Sequence, residues 1–148
     1  MTAEPYGLLL PQPDSVTQPW WDAMRRHELA IQSCAQCASL SHPPRPVCAE
    51  CGSEEREWRV MSGAGTIYSF VVVHRAPLPQ WRGEAPYNIV LVSLDDAPHI
   101  RLHGNVVGAA PADLQVGLPV TAVFDDVAPD DTVLRWRLAS SRACAAGS

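Results

Sequence analysis

The sequence contains no lysine, and all 11 of its basic residues are arginine. This absence excludes Schiff-base chemistry on a lysine amine and the phosphate-binding lysine of a Walker motif. The 16 acidic residues outnumber the arginines and give a formal net charge of -5. Because binding to duplex nucleic acid requires an excess of clustered cations, this charge favours a small molecule or another protein as the partner.

Long apolar runs are also missing. The longest candidates, such as NIVLVSL at 88–94, have the length of a strand and fall far short of the roughly 18 residues that span a bilayer. The first fifteen residues have no positive n-region and only a short apolar run before Pro11, so they do not resemble a secretory signal. We therefore expect a soluble, cytoplasmic protein, built as one compact domain or as a small domain with a metal-stapled appendage.

Four of the five cysteines form two Cys-x-x-Cys pairs in the stretch SCAQCASLSHPPRPVCAECG, namely Cys34 with Cys37 and Cys48 with Cys51. Disulfides are rare in a reducing cytosol, and a thioredoxin-like redox motif would be a single pair in a βαβ unit. Four thiolates satisfy tetrahedral zinc and leave no coordination position open. The spacing therefore predicts a structural zinc site, with iron in a rubredoxin-like site as the main alternative.

Two other metal-binding residue types lie outside this predicted shell. His42 is inside the loop between the two pairs, but because the shell is already full we expect it to be a surface histidine. Cys144 has no partner by spacing and is expected to be a free thiol near the polar end of the chain.

A helix is predicted over residues 19–28. The segment SVTQPWWDAMRRHELAI begins with residues that favour a helix start and then places Trp20 and Met24 on one helical face. Neighbouring Trp20 and Trp21 point in different directions from a helix, so one can enter the core while the other docks on a partner. Burial of both within the chain is the alternative.

From residue 58 onward, short strand-like runs are separated by Gly, Pro and Asp turns, which is typical of an all-β barrel or sandwich. Alternation in IRLH (100–103) and LRWRL (134–138) predicts that Arg101, Arg135 and Arg137 point outward. The pattern predicts five or six strands, over residues 58–61, 65–75, 88–94, 100–107, 119–125 and 133–138.

A candidate contact region lies around APLPQWRGEAPY (76–87), an irregular insertion rich in proline. Its prolines limit disorder and could hold Trp81, Arg82 and Tyr87 ready for a ligand or partner, although an ordinary barrel-crossing loop is the alternative. His74 and Arg75 end the preceding strand, where arginine could bind a phosphate or carboxylate in bidentate fashion. Solvated strand-end charges are the alternative for these two residues.

A family resemblance is carried by several stretches in order: PWWDAM, LAIQSCAQCASLSHPPRPVCAECGS, SGAGTIYSFVVVHRA, APYNIVLVSL and VGLPVTAVF. Together they resemble the acyl-CoA-associated DUF35 family, which pairs a rubredoxin-like zinc ribbon with an OB-fold. The resemblance implies a mainly β protein in four parts. These are an N-terminal tail and helix (1–32), a zinc ribbon (33–57), a five- to six-stranded OB-fold barrel (58–139) and a flexible tail (140–148).

The resemblance also implies a function. It suggests a non-catalytic subunit that docks on a thiolase-like or lipid-transfer-type aldolase, a ketoacyl synthase, an acyltransferase or a MaoC-like hydratase and helps form its acyl-CoA channel. It carries over Cys34, Cys37, Cys48 and Cys51 as zinc ligands and supplies no catalytic residue. The residues agree, because no Ser/His/Asp order or carboxylate pair is placed for catalysis, and we expect no independent active site.

The alternative function is that of an OB-fold that binds single-stranded nucleic acid. OB-folds and zinc ribbons both do this through basic grooves and stacked aromatic residues. Tyr68, Trp81, Tyr87 and Trp136 could stack bases, but the net acidity and the absence of lysine argue against this function. A free-standing esterase or transferase has the least support.

Overall fold

The structure is a computed structural model that describes residues 9–140. The predicted flexible tail, except for residue 140, and Cys144 lie outside the described residues, as do residues 1–8. None of the helices in the described part is long and apolar enough to span a membrane. The elements are α1 (Gln18–Arg25), β1 (Ala30–Cys34), β2 (Leu40–Ser41), β3 (Arg56–Val60), β4 (Ala64–Val73), β5 (Tyr87–Leu94), β6 (Arg101–Gly104), β7 (Pro119–Ala128) and β8 (Asp131–Leu138).

These strands form two antiparallel sheets. The first, which we call the ribbon sheet, has three strands in the order β2-β1-β3. The second has five strands in the order β6-β5-β4-β7-β8 and forms the nearly closed barrel of an OB-fold. The predicted mainly β fold with an N-terminal helix and a four-cysteine cluster is therefore confirmed.

The helix is shorter than predicted. Asp14 fixes its start, since its carboxylate accepts hydrogen bonds from the backbone N–H groups of Val16 (3.0 Å) and Thr17 (2.8 Å). The helix stops at Arg25 because His27 takes a left-handed conformation, with φ of 58°, which ends helical hydrogen bonding. The chain then turns into β1.

The barrel core follows from alternation along the strands. In β5 the inward positions Asn88, Val90, Val92 and Leu94 are all buried. Trp136 of β8 lies wholly buried among them. Burial of large apolar side chains in this way is the main source of stability for a small barrel.

Asn88 closes the barrel through its side chain. Its Nδ2 donates to the carbonyl of Val106 (2.9 Å), and its Oδ1 accepts from the N–H of Val106 (2.7 Å). The same segment bonds to β8 through the N–H of Val107 and the carbonyl of Trp136 (2.8 Å). The segment after β6 therefore joins the two edges of the five-stranded sheet.

Two strand predictions need correction. The run 58–61 was assigned to the barrel, but β3 pairs along its length with β1 in the ribbon sheet, so the barrel has five strands. The run 100–107 was predicted as one strand, but β6 ends at Gly104 because the backbone then turns to bond with Asn88 and β8. Local sequence favours extended structure in both runs, whereas tertiary contacts decide the pairing.

The three arginines predicted to point outward differ in exposure. Arg101 and Arg137 are exposed, but the side chain of Arg135 is only 14% exposed. Its Nε donates to Asp125 Oδ2 (2.5 Å) and its Nη1 to Asn105 Oδ1 (3.2 Å). An arginine side chain can pack its aliphatic part along a sheet and lose most of its contact with water while its guanidinium group stays paired.

Candidate metal centre

The first Cys-x-x-Cys knuckle is built by backbone hydrogen bonds at the end of β1. The N–H of Ala38 donates to the carbonyl of Cys34 (2.9 Å), and the N–H of Cys34 donates to the carbonyl of Ser39 (2.9 Å). Ala38 takes a left-handed conformation with φ of 61°, which lets the chain turn back after Cys37. The turn brings the thiols of Cys34 and Cys37 to the same side.

The second knuckle repeats this design. The N–H of Gly52 donates to the carbonyl of Cys48 (3.0 Å), and the N–H of Cys48 donates to the carbonyl of Ser53 (2.9 Å). Gly52 has φ of 77°, a conformation that glycine adopts without the penalty that a Cβ carries. The sequences CAQCAS and CAECGS are thus two copies of one turn that face each other.

The four sulfur atoms converge between the knuckles. All of them lie within 4.8 Å of one another, with 3.5 Å between Cys34 and Cys51 and 3.7 Å between Cys37 and Cys48. A tetrahedral ion with metal–sulfur bonds of about 2.3 Å requires sulfur atoms about 3.8 Å apart. Disulfide sulfurs are about 2.05 Å apart, and all four cysteines are free. The donor set fits one tetrahedral ion, and the predicted convergence of the four cysteines is confirmed.

Without an ion, the thiols of Cys48 and Cys51 ionise at very different pH values. Hydrogen bonding from the Ser39 hydroxyl, with backbone hydrogen bonds, lowers the pKa of Cys48 to about 6. The amide of Ser53 lowers the pKa of Cys51, but the neighbouring thiols of Cys34 and Cys37 outweigh it, and the pKa rises to about 12. Clustered thiols of this kind become thiolates together only when a cation compensates their charge.

Ser39 breaks the symmetry of the two knuckles. Its Oγ lies 3.2 Å from the sulfur of Cys37 and 3.2 Å from the sulfur of Cys48, so it contacts one ligand from each knuckle. Ser53 holds the equivalent position in the second knuckle, but its Oγ accepts a hydrogen bond from the N–H of Glu55 (3.1 Å). The repeat of CAQCAS and CAECGS in the sequence indicates that Ser39 and Ser53 are equivalent. Only the fold shows that the hydroxyl of Ser39 reaches sulfur.

The proline-rich loop between the knuckles is fixed by a buried amide. Gln32 of β1 donates from Nε2 to the carbonyl of Arg45 (2.9 Å), and its Oε1 accepts from the N–H of Arg45 (2.8 Å). Its Oε1 also accepts from the hydroxyl of Ser41 (2.9 Å). Gln32 therefore ties the loop to the central strand of the ribbon sheet.

His42 is not a surface residue as predicted. Its ring packs against Trp20, with ring centroids 4.7 Å apart, and burial lowers its pKa to about 4 with a smaller contribution from His103. Trp20 is itself only 8% exposed and belongs to the shared core, so it is not presented for docking. Trp21 is half-buried against that core and stays a predicted contact residue.

The second group of predicted contact residues meets at the tip of the β4–β5 hairpin. His74, Arg75 and Arg82 line one open recess of about 650 Å³, together with small apolar residues. Trp81 and Tyr87 contact each other edge to face nearby, with centroids 6.3 Å apart. The structure thus brings a cationic recess and an aromatic pair to one end of the barrel, while their role remains a prediction.

One of the four aromatic residues that could stack on the bases of a single-stranded nucleic acid is not accessible. Trp136 is completely buried in the barrel core and cannot stack on a base. Tyr68 is 49% exposed, but the guanidinium of Arg101 lies over its ring, 3.8 Å from the centroid. No observation in the described part of the chain favours that function over a protein partner.

Two family models match adjacent parts of the chain. Residues 21–57 match the ChsH2 rubredoxin-like zinc ribbon domain, and residues 58–125 match the ChsH2 C-terminal OB-fold domain. The metal centre and the barrel described above correspond to these two modules.

Curated proteins and solved structures extend the similarity. A probable enoyl-CoA hydratase alpha subunit of Thermomonospora curvata is 38% identical over 118 residues, which is 80% of this chain but only 36% of that protein. A DUF35 domain-containing scaffold protein of Methanocaldococcus jannaschii is 32% identical over 116 residues, which is 78% of this chain and 80% of that protein. A chain of a solved structure described as Ltp2-ChsH2(DUF35) aldolase is 35% identical, with a TM-score of 0.79 over 98% of its length and 86% of this chain.

Proposed function

This chain belongs to the DUF35 family, and from that premise we propose that it is a non-catalytic subunit of an enzyme that acts on acyl-CoA. It docks on a partner of the aldolase or hydratase type and helps form the channel through which the acyl-CoA enters. The observation that carries this proposal is the likeness, over 98% of its length, to a chain from the Ltp2-ChsH2(DUF35) aldolase.

The metal centre supports a structural role within that subunit. Four thiolates leave no coordination position for a substrate, so the ion would hold the two knuckles together and would supply no chemistry to a reaction. We propose zinc as the ion, because zinc accepts four thiolates without a redox change, and iron as the alternative. Metal analysis of the purified protein distinguishes the two.

The hairpin tip supports a contact with CoA. The recess lined by His74, Arg75 and Arg82 holds two guanidinium groups, which bind phosphate oxygens in bidentate fashion. CoA carries several phosphates, so we propose that this recess binds its phosphate-bearing end at the junction with the partner. Trp81 and Tyr87 pack beside the recess and would hold the loop in place. The proposal includes thiolase-like, ketoacyl-synthase-like and MaoC-like partners.

The test is reconstitution with a partner. The chain is expressed with each aldolase- and hydratase-type subunit of its source organism, and complex formation and acyl-CoA turnover are measured. We expect one stable complex, no turnover by the chain alone, and a KM for acyl-CoA raised about tenfold or more by Arg75→Ala with Arg82→Ala. Arg137→Ala, at an exposed position of β8, is the matched control. Steady turnover by the isolated chain would contradict the proposal.

A further inference from the structure

The outer face of the β4–β5 hairpin is apolar where a sheet would normally meet water. Val71 and Ile89 stand directly opposite each other in the register, and their side chains are 55% and 37% exposed. Two residues away on the same face, Val73 pairs with Tyr87 on one side, and on the other side Leu91 pairs with the exposed Ser69, which is the polar end of this face. The apolar members are Val71, Val73, Tyr87, Ile89 and Leu91. We call these five residues the hairpin face.

The other hairpin of the same barrel shows what a solvent-facing side looks like. On the outer side of β7 and β8, the exposed Thr121 is paired with the exposed Arg137, and Val123 is paired with Arg135, whose charge is bound to Asp125. Each of these pairs contains a polar or charged side chain. An antiparallel sheet with one solvated face usually shows this pattern, and a contiguous exposed apolar patch marks an interaction surface.

Within the described residues, the centre of the hairpin face, Val71 and Ile89, stays exposed, whereas Tyr87 at its end contacts Trp81. α1 and β1 contribute Trp20, Met24 and Ile31 to the shared core, and Val71 is not part of that core. An exposed pair of β-branched residues in the middle of a two-stranded arm gains nothing from the chain's own folding. The partner that covers the face must therefore come from outside the described residues.

The charges around the face indicate the kind of partner. Arg101 lies at one edge, over the exposed ring of Tyr68. Arg75 and Arg82 lie at the tip. Although the whole chain has a net charge of -5, this border is cationic, so it complements a surface that carries carboxylates.

Resting on the proposed function, we propose that the hairpin face is the surface that packs against the aldolase- or hydratase-type partner. The matching patch on the partner is apolar at its centre, opposite Val71 and Ile89, and acidic at its rim, opposite Arg101. The face runs directly into the cationic recess at the hairpin tip. Docking through this face therefore places the recess at the edge of the interface, where a shared acyl-CoA channel would open.

The test compares a charge placed on this face with the same charge placed on the other outer face. Val71→Asp and Ile89→Asp bury a carboxylate in the proposed interface, whereas Thr121→Asp places one on β7, at an exposed strand position. We expect the dissociation constant for the partner to rise about tenfold or more for the first two variants and to stay unchanged for Thr121→Asp. Arg101→Ala should slow association and weaken its salt dependence. Metal content and thermal unfolding verify that each variant folds.

Each other outcome has its own meaning. If the wild-type chain forms the complex and Val71→Asp forms it equally well, the proposed function stands and this interface is overturned. If the wild-type chain binds no partner, the proposed function fails, and this inference fails with it. Dimers of the chain that dissociate on Val71→Asp would identify a second copy as the occupant instead. Binding to phosphatidylserine vesicles that is lost in Val71→Asp while the protein complex persists would identify a lipid surface instead.

Discussion

The ribbon sheet and the barrel are held together by different means. The strands of the ribbon sheet are short, and β3 (REWRV) is exposed at every position except a half-buried Trp58. The barrel, by contrast, buries Ile67, Val90, Val92 and Trp136 in one core. β1 joins the shared core through Ile31, but β2 and β3 have no buried residue. We therefore expect these two strands to depend on metal–thiolate bonds, whereas the barrel depends on side-chain packing. This difference predicts which substitutions harm which part.

The largest effect is expected from the loss of one metal ligand. Cys51→Ser removes a thiolate from a site whose metal-binding free energy, about 10 to 16 kcal/mol in comparable peptides, also folds the ribbon. We expect the variant to lose its metal and the amides of β3 to exchange at once in hydrogen-exchange measurements, while those of β5 stay protected. Ala49→Ser, an exposed change in the same knuckle, is the control. A variant that keeps its metal and a protected β3 would show that the ribbon sheet folds by packing after all.

The second largest effect is expected from overpacking the core of the barrel. A Cβ on Gly65 would lie 2.4 Å from Cγ1 of Val92 and 3.0 Å from the carbonyl oxygen of Ser93. Gly65→Ala should lower the free energy of unfolding by about 1 to 3 kcal/mol, because overpacking forces neighbouring groups apart. The metal content should not change. Gly83→Ala, which has no atom within 4 Å of the added Cβ, should alter stability by less than about 0.5 kcal/mol. Urea denaturation provides both values, and equal values would contradict the packing argument.

The third effect concerns the contact between α1 and the proline-rich loop that joins the two knuckles. Burial lowers the pKa of His42 from 6.5 to about 4, so the unfolded chain binds a proton more tightly than the folded chain. Stability from neutral His42 is therefore fully present above pH 6.5 and is lost as the pH falls toward 4. His42→Phe keeps a ring against Trp20 but cannot titrate.

The measurement for His42 is a difference between two proteins. Thermal or urea unfolding is compared for the wild type and His42→Phe at pH 7 and near pH 4.5. The wild type should lose about 1 to 3 kcal/mol relative to the variant over this range. Protonation of the metal thiolates affects both proteins and cancels in the difference. A difference that does not change with pH would mean that His42 is solvated.

The metal centre could be predicted from the sequence because its geometry is local. Each Cys-x-x-Cys knuckle is closed by hydrogen bonds within six residues, so the spacing alone places two thiols side by side. The strand positions of the barrel followed from alternation for the same reason, as in β5. Helix α1 was also predicted to within a few residues, although the left-handed His27 that ends it has no distinct sequence signal.

The remaining features depend on contacts between distant segments. β1 (AIQSC) was missed because it is buried on both faces and includes Gln32 and Ser33, so it lacks alternation. β3 was assigned to the barrel because its own residues cannot show that it pairs with β1. The exposure of Val71 is likewise hidden in the sequence, since the run VVV predicts a strand but not which side of it the chain leaves uncovered.

The smallest effect compares the two knuckles with each other. Ser39→Ala removes a hydroxyl that contacts sulfur atoms of both knuckles, whereas Ser53→Ala removes the equivalent hydroxyl, which bonds only to the backbone of Glu55. Loss of a hydrogen bond to a metal ligand typically weakens metal binding about tenfold or more. We therefore expect Ser39→Ala to release zinc faster to a chelator, and Ser53→Ala to release it at nearly the wild-type rate.

A spectroscopic measurement separates this effect from a general loosening of the ribbon. A hydroxyl that donates to a thiolate withdraws electron density from the sulfur, so its removal makes the sulfur a stronger donor. In protein loaded with Co²⁺, Ser39→Ala should therefore shift the sulfur-to-metal charge-transfer band to lower energy, and Ser39→Thr, which keeps the hydroxyl, should restore it. Equal bands and equal release rates for Ser39→Ala and Ser53→Ala would show that the two knuckles are equivalent. The symmetry of CAQCAS and CAECGS would then extend from the backbone to the metal.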